Sequence, residues 1–119
     1  MRKPKDPAEL KLVRRAISLD VRGCCEWDEA AARRLESHPP LAGLTPEGIK
    51  TLLHEFVVKG GELVQVEEKR PEYQDRPFYY KAIIPITGFR HGLFVEVVLI
   101  DEDSEYPVVH IVNAHEQSR

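Results

Sequence analysis

The sequence predicts an α+β protein in which N-terminal helices pack on one face of a four-stranded antiparallel sheet. Apolar residues recur at helical spacing as far as Val57, and the hydrophobic period changes to two after Gly61. The runs that follow are joined by short loops, which favours antiparallel neighbours in a meander. The length suits a single domain over 1–119, with a helical part at 1–43 and a helix plus the sheet at 44–115.

Two amphipathic segments fill the first part of the chain. The segment 7–20 is predicted to begin with Asp6 as N-cap and Pro7 in the first turn. A second helix is predicted over about 26–37 and ends at the prolines of 38–40, because a residue that precedes proline is pushed out of the α region.

The third helix carries the best-defined start signals. Thr45 is a good N-cap and Pro46 a good first residue. Its apolar residues form one broad stripe at helical spacing: Ile49, Leu52, Leu53, Phe56 and Val57. Gly60 or Gly61 supplies the C-terminal stop.

Four strands are predicted after this helix, at 63–69, 78–86, 93–100 and 106–114. The run 93–100 is almost continuously apolar, interrupted by Glu96, so it is predicted to be central. A sheet covered on one face by the helices is the natural way to bury these apolar side chains.

Composition excludes several classes of protein. Lys and Arg number 17 against 20 Asp and Glu, a net charge of −3, which excludes a strongly basic nucleic-acid coat. No apolar run approaches the roughly 20 residues that span a bilayer, and no signal-peptide core follows the basic N-terminus. We therefore expect a cytoplasmic location and no membrane partner. The adjacent Cys24 and Cys25 offer no disulfide framework and are predicted to be buried or half-buried thiols.

Motifs for metals and cofactors are absent from the sequence. The acidic run 101–105 has no glycine, which an EF-hand loop requires. His110 and His115 have no carboxylate or cysteine beside them to complete a zinc site. Neither a phosphate-cradling glycine loop nor a Gly-x-Ser-x-Gly turn is present. We predict no metal and no cofactor.

Polar side chains in the sheet half could instead form a metal-free site. If the strands pair in order, the sheet brings several of them to one face. Such a set can cleave RNA, since one group takes the 2′-hydroxyl proton, another protonates the leaving oxygen and cations stabilise the developing charge. A solvated sheet face is the alternative interpretation. The candidates are Glu67, Arg70, Lys81, Arg90, His110 and His115.

From 44 to 115 the layout resembles the RelE/YoeB-type toxins of the barnase–EndoU–colicin–RelE group of small nucleases. The likeness consists of a helix that ends in Lys-Gly-Gly at 59–61, a strand with Glu67 and Arg70, a strand with Tyr79 and Lys81, and the final 110–115. The resemblance implies a metal-free endoribonuclease whose partner is RNA or an antitoxin-like protein. It assigns the base to Glu67, phosphate binding to Arg70, Lys81 and Arg90, and the acid to His110 or His115.

A non-enzymatic protein–protein interaction module is the competing interpretation. The second face of the strand 93–100 would then be covered by a partner or by a second copy in a homodimer. Aromatic residues are enriched at interfaces, and four are available for this surface: Phe78, Tyr80, Phe89 and Phe94.

Overall fold

Three helices and one short strand precede a run of four strands in the described residues. The computed structural model describes residues 6–19, 21–37, 43–73 and 75–118. In this part of the chain the elements are α1 (Pro7–Ser18), β1 (Cys25–Trp27), α2 (Glu29–Ser37), α3 (Pro46–Val58), β2 (Val64–Glu67), β3 (Phe78–Ile84), β4 (Leu93–Asp101) and β5 (Val108–Glu116), with a 3₁₀ turn at Pro71–Tyr73. The predicted α+β class is confirmed. The predicted helix stop at 38–40 lies outside the described residues.

The sheet has five strands in the order β1-β5-β4-β3-β2, and it is mixed. The successive strands from β2 to β5 pair antiparallel with one another, as in the predicted meander. The prediction of four antiparallel strands was nevertheless wrong, because β1 adds to β5 in parallel, with Cys25 opposite Val109 and Trp27 opposite Ile111. Three residues are too few to show a period of two, so this strand left no signal in the sequence.

The start of α2 was also predicted too early. Trp27 belongs to β1, and the Asp28 carboxylate then accepts a hydrogen bond from Ala31 N at 3.0 Å, as an N-cap does. Trp27 Nε1 donates to Pro46 O at 2.7 Å, which joins β1 to the first turn of α3. The start of α3 was predicted correctly, since Thr45 Oγ1 accepts a hydrogen bond from Gly48 N at 3.0 Å, as an N-cap does.

The core lies between α1, α3 and one face of the sheet. Apolar side chains from both helices meet the inward side chains of the three central strands, and these include Val13, Ile17, Ile49, Leu53, Val57, Tyr80, Ala82, Leu93, Val95, Val97, Val109 and Ile111, each at most 2% exposed. We call this the helix face of the sheet. Such burial supplies the main driving force for folding.

A polar cluster fastens α1 to the sheet inside this core. Tyr80 Oη donates to Glu9 Oε1 at 2.7 Å and accepts from Gln65 Nε2 at 2.8 Å. The same Gln65 side chain bonds both the N–H and the carbonyl of Asp6, each at 2.9 Å. Glu9 is only 9% exposed, so these bonds satisfy a carboxylate that has little contact with water.

On the other side of the sheet, here called the open face, no helix of the described ranges crosses the middle. The helix α2 lies along β5 at one border, where Arg34 Nη2 donates to Val112 O at 3.3 Å and Asp28 N to Ile111 O at 2.9 Å. The connection from β2 to β3, of which 68–73 and 75–77 are described, borders these strands on the other side and is held by a bond of 2.9 Å from Glu68 N to Pro77 O. A groove therefore runs between α2 and this connection.

None of the helices in the described ranges is long and apolar enough to span a bilayer.

Candidate functional site

The groove on the open face brings together side chains that are distant in sequence. It encloses about 470 Å³. Its floor is β4, and its walls are α2, the middle of β5 and the described part of the connection from β2 to β3. Its lining is Asp28, Ala30, Arg34, Glu68, Arg70, Arg76, Glu96, Val98, Val112 and Asn113. Three arginines and three carboxylates thus share one groove.

Arg70 is the centre of this arrangement. Its Nε donates to Glu68 Oε1 at 2.8 Å and its Nη2 to Glu68 Oε2 at 2.7 Å, a bidentate pair. The same Nη2 lies 2.7 Å from Glu96 Oε2 on β4. The guanidinium carbon stands 4.7 Å from the centre of the Tyr79 ring, so cation–π attraction adds to the ion pairs.

Both carboxylates that hold Arg70 are withdrawn from water. The side chain of Glu68 is 1% exposed and that of Glu96 is 6% exposed, whereas Arg70 is 42% exposed. Hydrogen bonds from Arg70 hold the pKa of Glu68 below its usual range in spite of burial. Glu68 is therefore ionised at neutral pH. Burial raises the pKa of the neighbouring Tyr79 hydroxyl.

Strand alternation explains why these residues share a face. Side chains point to opposite faces at successive positions. Tyr79 and Lys81 of β3 lie on the open face, and the antiparallel register places Lys81 directly opposite Glu96. Glu68 continues the alternation of Val64 and Val66 beyond β2 and so reaches the same face.

Two of the predicted site residues belong at or beside the groove. Arg70 lines it. Lys81 is half-buried next to Glu96, yet within the described residues its side chain forms neither an ion pair nor a hydrogen bond. It is a cation available to a ligand.

The two predicted histidines flank the groove on β5. His110 is half-buried and pairs with Val98, a residue of the groove floor. His115 is exposed at the far end of the strand and stacks on Phe94, with ring centres 4.6 Å apart. Between them Asn113 pairs with Glu96, and the extra residue Val112 forms a bulge.

Two predicted residues do not join this site. Glu67 pairs with Phe78, which packs against the core, so alternation turns Glu67 to the helix face. Arg90 is exposed in the turn between β3 and β4, at the opposite end of these strands from Arg70. The structure therefore places Glu67 and Arg90 apart from the groove.

Sequence reasoning missed other groove residues, of which Glu68, Glu96, Arg34 and Arg76 carry charge. One signal was present, since Glu96 interrupts the most apolar strand of the chain. A charge in a central strand requires a partner, and that partner is Arg70. Nothing in the sequence marked Arg34, because it comes from a different element on the far wall.

A larger cavity, of about 800 Å³, lies where α1, β1 and α3 meet. Its most buried charge, Lys50, is already paired with Glu26 at 3.1 Å and with Glu47 at 3.5 Å. None of the predicted site residues lines it. We therefore place the candidate site in the smaller groove.

The cysteines lie outside the groove. Cys24 is buried and Cys25 half-buried, and both are free thiols, as predicted for structural side chains. Burial raises the pKa of Cys25 to about 12, so its thiol stays protonated and weakly nucleophilic at neutral pH.

Comparison with known proteins adds no relative to this description. No family model, curated protein or solved structure gives a significant match to the chain. What can be said of function comes from the groove itself.

Proposed function

We propose that this chain is a metal-independent endoribonuclease of the toxin type and that the groove on the open face is its active site. The observation that carries the proposal is the bidentate Arg70 over Tyr79, beside the buried Glu96 and the available Lys81. Arginine guanidinium groups and lysine ammonium groups bind phosphate, and a buried carboxylate can accept a proton.

The charge of the site supports an anionic substrate. The chain as a whole carries −3. At the groove, however, Arg34, Arg70, Arg76 and Lys81 stand against Asp28, Glu68 and Glu96, one cation more than the carboxylates. Local complementarity of this kind can attract RNA even to an acidic protein.

Each step of cleavage then has a group to perform it. Glu96, in place of Glu67, takes the proton from the 2′-hydroxyl as that oxygen bonds to phosphorus. Arg70 and Lys81 stabilise the charge on the phosphate, and the bond to the 5′-oxygen breaks as His110 donates a proton to it. His110 suits this role because its cross-strand partner Val98 forms the groove floor. The products are a 2′,3′-cyclic phosphate and a 5′-hydroxyl.

The test is cleavage of a labelled, mixed-sequence RNA of about 20 nucleotides in EDTA. We expect products that end in 2′,3′-cyclic phosphate and no cleavage of the all-2′-deoxy analogue. Lys81→Gln should lower kcat/KM by about 10- to 100-fold, since a groove cation is lost. Lys59→Gln, a matched change at an exposed position after α3, should have no effect. Failure of folded wild-type protein to cleave either free RNA or mRNA on translating ribosomes would overturn the proposal.

A second function, the interaction module, has one observation in its favour. Val64 and Ile83, on the open face beside Lys81, are 37% and 36% exposed. The aromatic surface expected for it is smaller than predicted, since Tyr80 and Phe89 are buried in the core. A homodimer seen by light scattering and abolished by Ile83→Lys would support this function, and a monomer at all concentrations would count against it.

A further inference from the structure

Glu68 makes an unusual number of bonds to one neighbour. In addition to the two bonds from the Arg70 guanidinium, its Oε1 accepts the backbone N–H of Arg70 at 3.0 Å. One carboxylate thus holds both the backbone and the side chain of a residue two positions later. Few orientations of the Arg70 side chain satisfy all three bonds.

The burial of Glu68 indicates that this arrangement is rigid. A carboxylate that is 1% exposed is costly unless its oxygens are hydrogen-bonded. Rotation of Arg70 away from it would leave a buried carboxylate without its bidentate partner, which is unfavourable. The guanidinium therefore has one strongly favoured place, against Glu96 and above the ring of Tyr79.

Glu96 is bound differently from Glu68. Arg70 reaches it through a single nitrogen, which Glu68 also shares. Glu68 lies in the same short segment as Arg70, whereas Glu96 belongs to β4 across the groove floor. Of the two carboxylates, Glu68 is therefore the one that determines where the guanidinium lies.

We propose that Glu68 is a positioning residue of the groove, which fixes the Arg70 guanidinium where it meets the phosphate of the RNA substrate. This inference rests on the proposed function. Glu68 itself neither touches the substrate nor carries a proton in the reaction. Displacement of a substrate-binding group by about 1 Å can cost on the order of 100-fold in rate, so loss of the anchor should be visible in kinetics.

One test observes the guanidinium directly and does not depend on cleavage. In ¹⁵N NMR spectra near pH 7, we expect the Arg70 Nε–H to give a separate, slowly exchanging resonance, which Arg70→Lys identifies by removing it. In Glu68→Gln this resonance should move to the averaged arginine position or exchange too fast to be seen. Glu62→Gln, a matched change at an exposed position just before β2, should leave it unchanged.

The second test is kinetic and separates positioning from proton transfer. Glu68→Gln should lower kcat/KM for the labelled RNA by about 10- to 100-fold, with the acid limb of the pH profile at its wild-type position. Glu68→Asp keeps the charge and should recover part of the rate. If Glu68→Gln instead removed the acid limb of the pH profile, Glu68 would be the general base and the inference would be overturned. Circular dichroism checks that each variant is folded.

The outcomes distinguish this inference from the proposed function. A Glu68→Gln protein that keeps both the Arg70 resonance and the wild-type rate overturns the inference, while the ribonuclease proposal stands. A wild-type protein without any cleavage overturns the ribonuclease proposal. In that case titration with the all-2′-deoxy oligonucleotide still decides: a shift of the Arg70 resonance that Glu68→Gln abolishes supports positioning, and no shift overturns it.

Discussion

Arg70 Nη2 and Glu96 Oε2 lie 2.7 Å apart, an ion pair between residues 26 positions apart in the chain. It joins the segment after β2 to the central strand β4. With Glu68 on its other side, Arg70 forms ion pairs with two carboxylates that are almost fully buried. The same side chain thus serves stability and, in our proposal, substrate binding.

Arg70→Met should destabilise the fold by leaving two buried carboxylates without their cation. We expect the free energy of unfolding in urea to fall by about 2–3 kcal/mol, below the full cost of breaking a buried pair, because 42% of the Arg70 side chain is exposed and water screens it. Arg76→Met, at a half-buried arginine of the same groove, should cost less than about 1 kcal/mol.

Neutralising the two carboxylates that lose their partner should restore most of the lost free energy of unfolding. A triple variant that adds Glu68→Gln and Glu96→Gln to Arg70→Met should regain stability toward wild type. If instead the triple variant is less stable than Arg70→Met alone, the buried charges are not the cause of the loss.

The active-site proposal predicts different effects for two glutamates on the same sheet. Glu96→Gln should lower kcat/KM for RNA cleavage by about 100-fold or more, since it removes the general base. Glu67→Gln, on the helix face, should stay within about twofold of wild type. Equal losses in the two variants would contradict this assignment of the base.

Glu9 should make stability depend on pH. Burial raises its pKa, the bond from Tyr80 opposes this, and the charges of Asp6 and Glu102 raise it further. The folded state therefore holds the proton more tightly than the unfolded chain. Stability contributed by this group is complete below the unfolded pKa and is lost as pH rises through the folded pKa.

Glu9→Gln should remove that dependence. Relative to wild type, the variant should gain in free energy of unfolding as the pH is raised from about 4 to 7. Urea titrations at several pH values measure the difference. A difference that does not change with pH, or that moves the other way, would show that Glu9 ionises normally in the fold.

Cys25 should be inert toward alkylation while the protein is folded. Its pKa of about 12 leaves very little thiolate at neutral pH, whereas an unfolded cysteine has a pKa near 8.5. We expect iodoacetamide to modify native Cys25 at least about 100-fold more slowly than in urea, measured by mass spectrometry of the cysteine peptide. Comparable rates would mean that the site is open to solvent.

The parts of the fold that local signals determine could be predicted from sequence. Thr45 and Pro46 mark the start of α3 by capping chemistry. A run rich in aromatic and β-branched residues predicted β3, and an almost continuously apolar run predicted β4. The strand β1 could not be predicted, because its three residues are defined by pairing with β5 and by no pattern of their own. Contacts between distant segments decide such elements.

The candidate site illustrates the same limit at the scale of one residue. Arg70 and Lys81 were singled out because cations in or next to predicted strands are conspicuous in the sequence. The carboxylate was assigned to Glu67 when Glu68 and Glu96 face the groove. Side chains alternate with a period of two, so an error of one position moves a residue through the sheet. The register that settles this is set by pairing between β2 and β3.

The parallel pairing of β1 with β5 has a consequence for biosynthesis. Cys25 leaves the ribosome more than eighty residues before its neighbour Val109, so the nascent chain must keep this early strand unpaired until β5 has been made. Asn113 and Val112, which complete the groove, also belong to β5. A nascent chain that has not yet reached β5 therefore lacks one wall of the groove, and any activity of the groove begins only after this strand has been made.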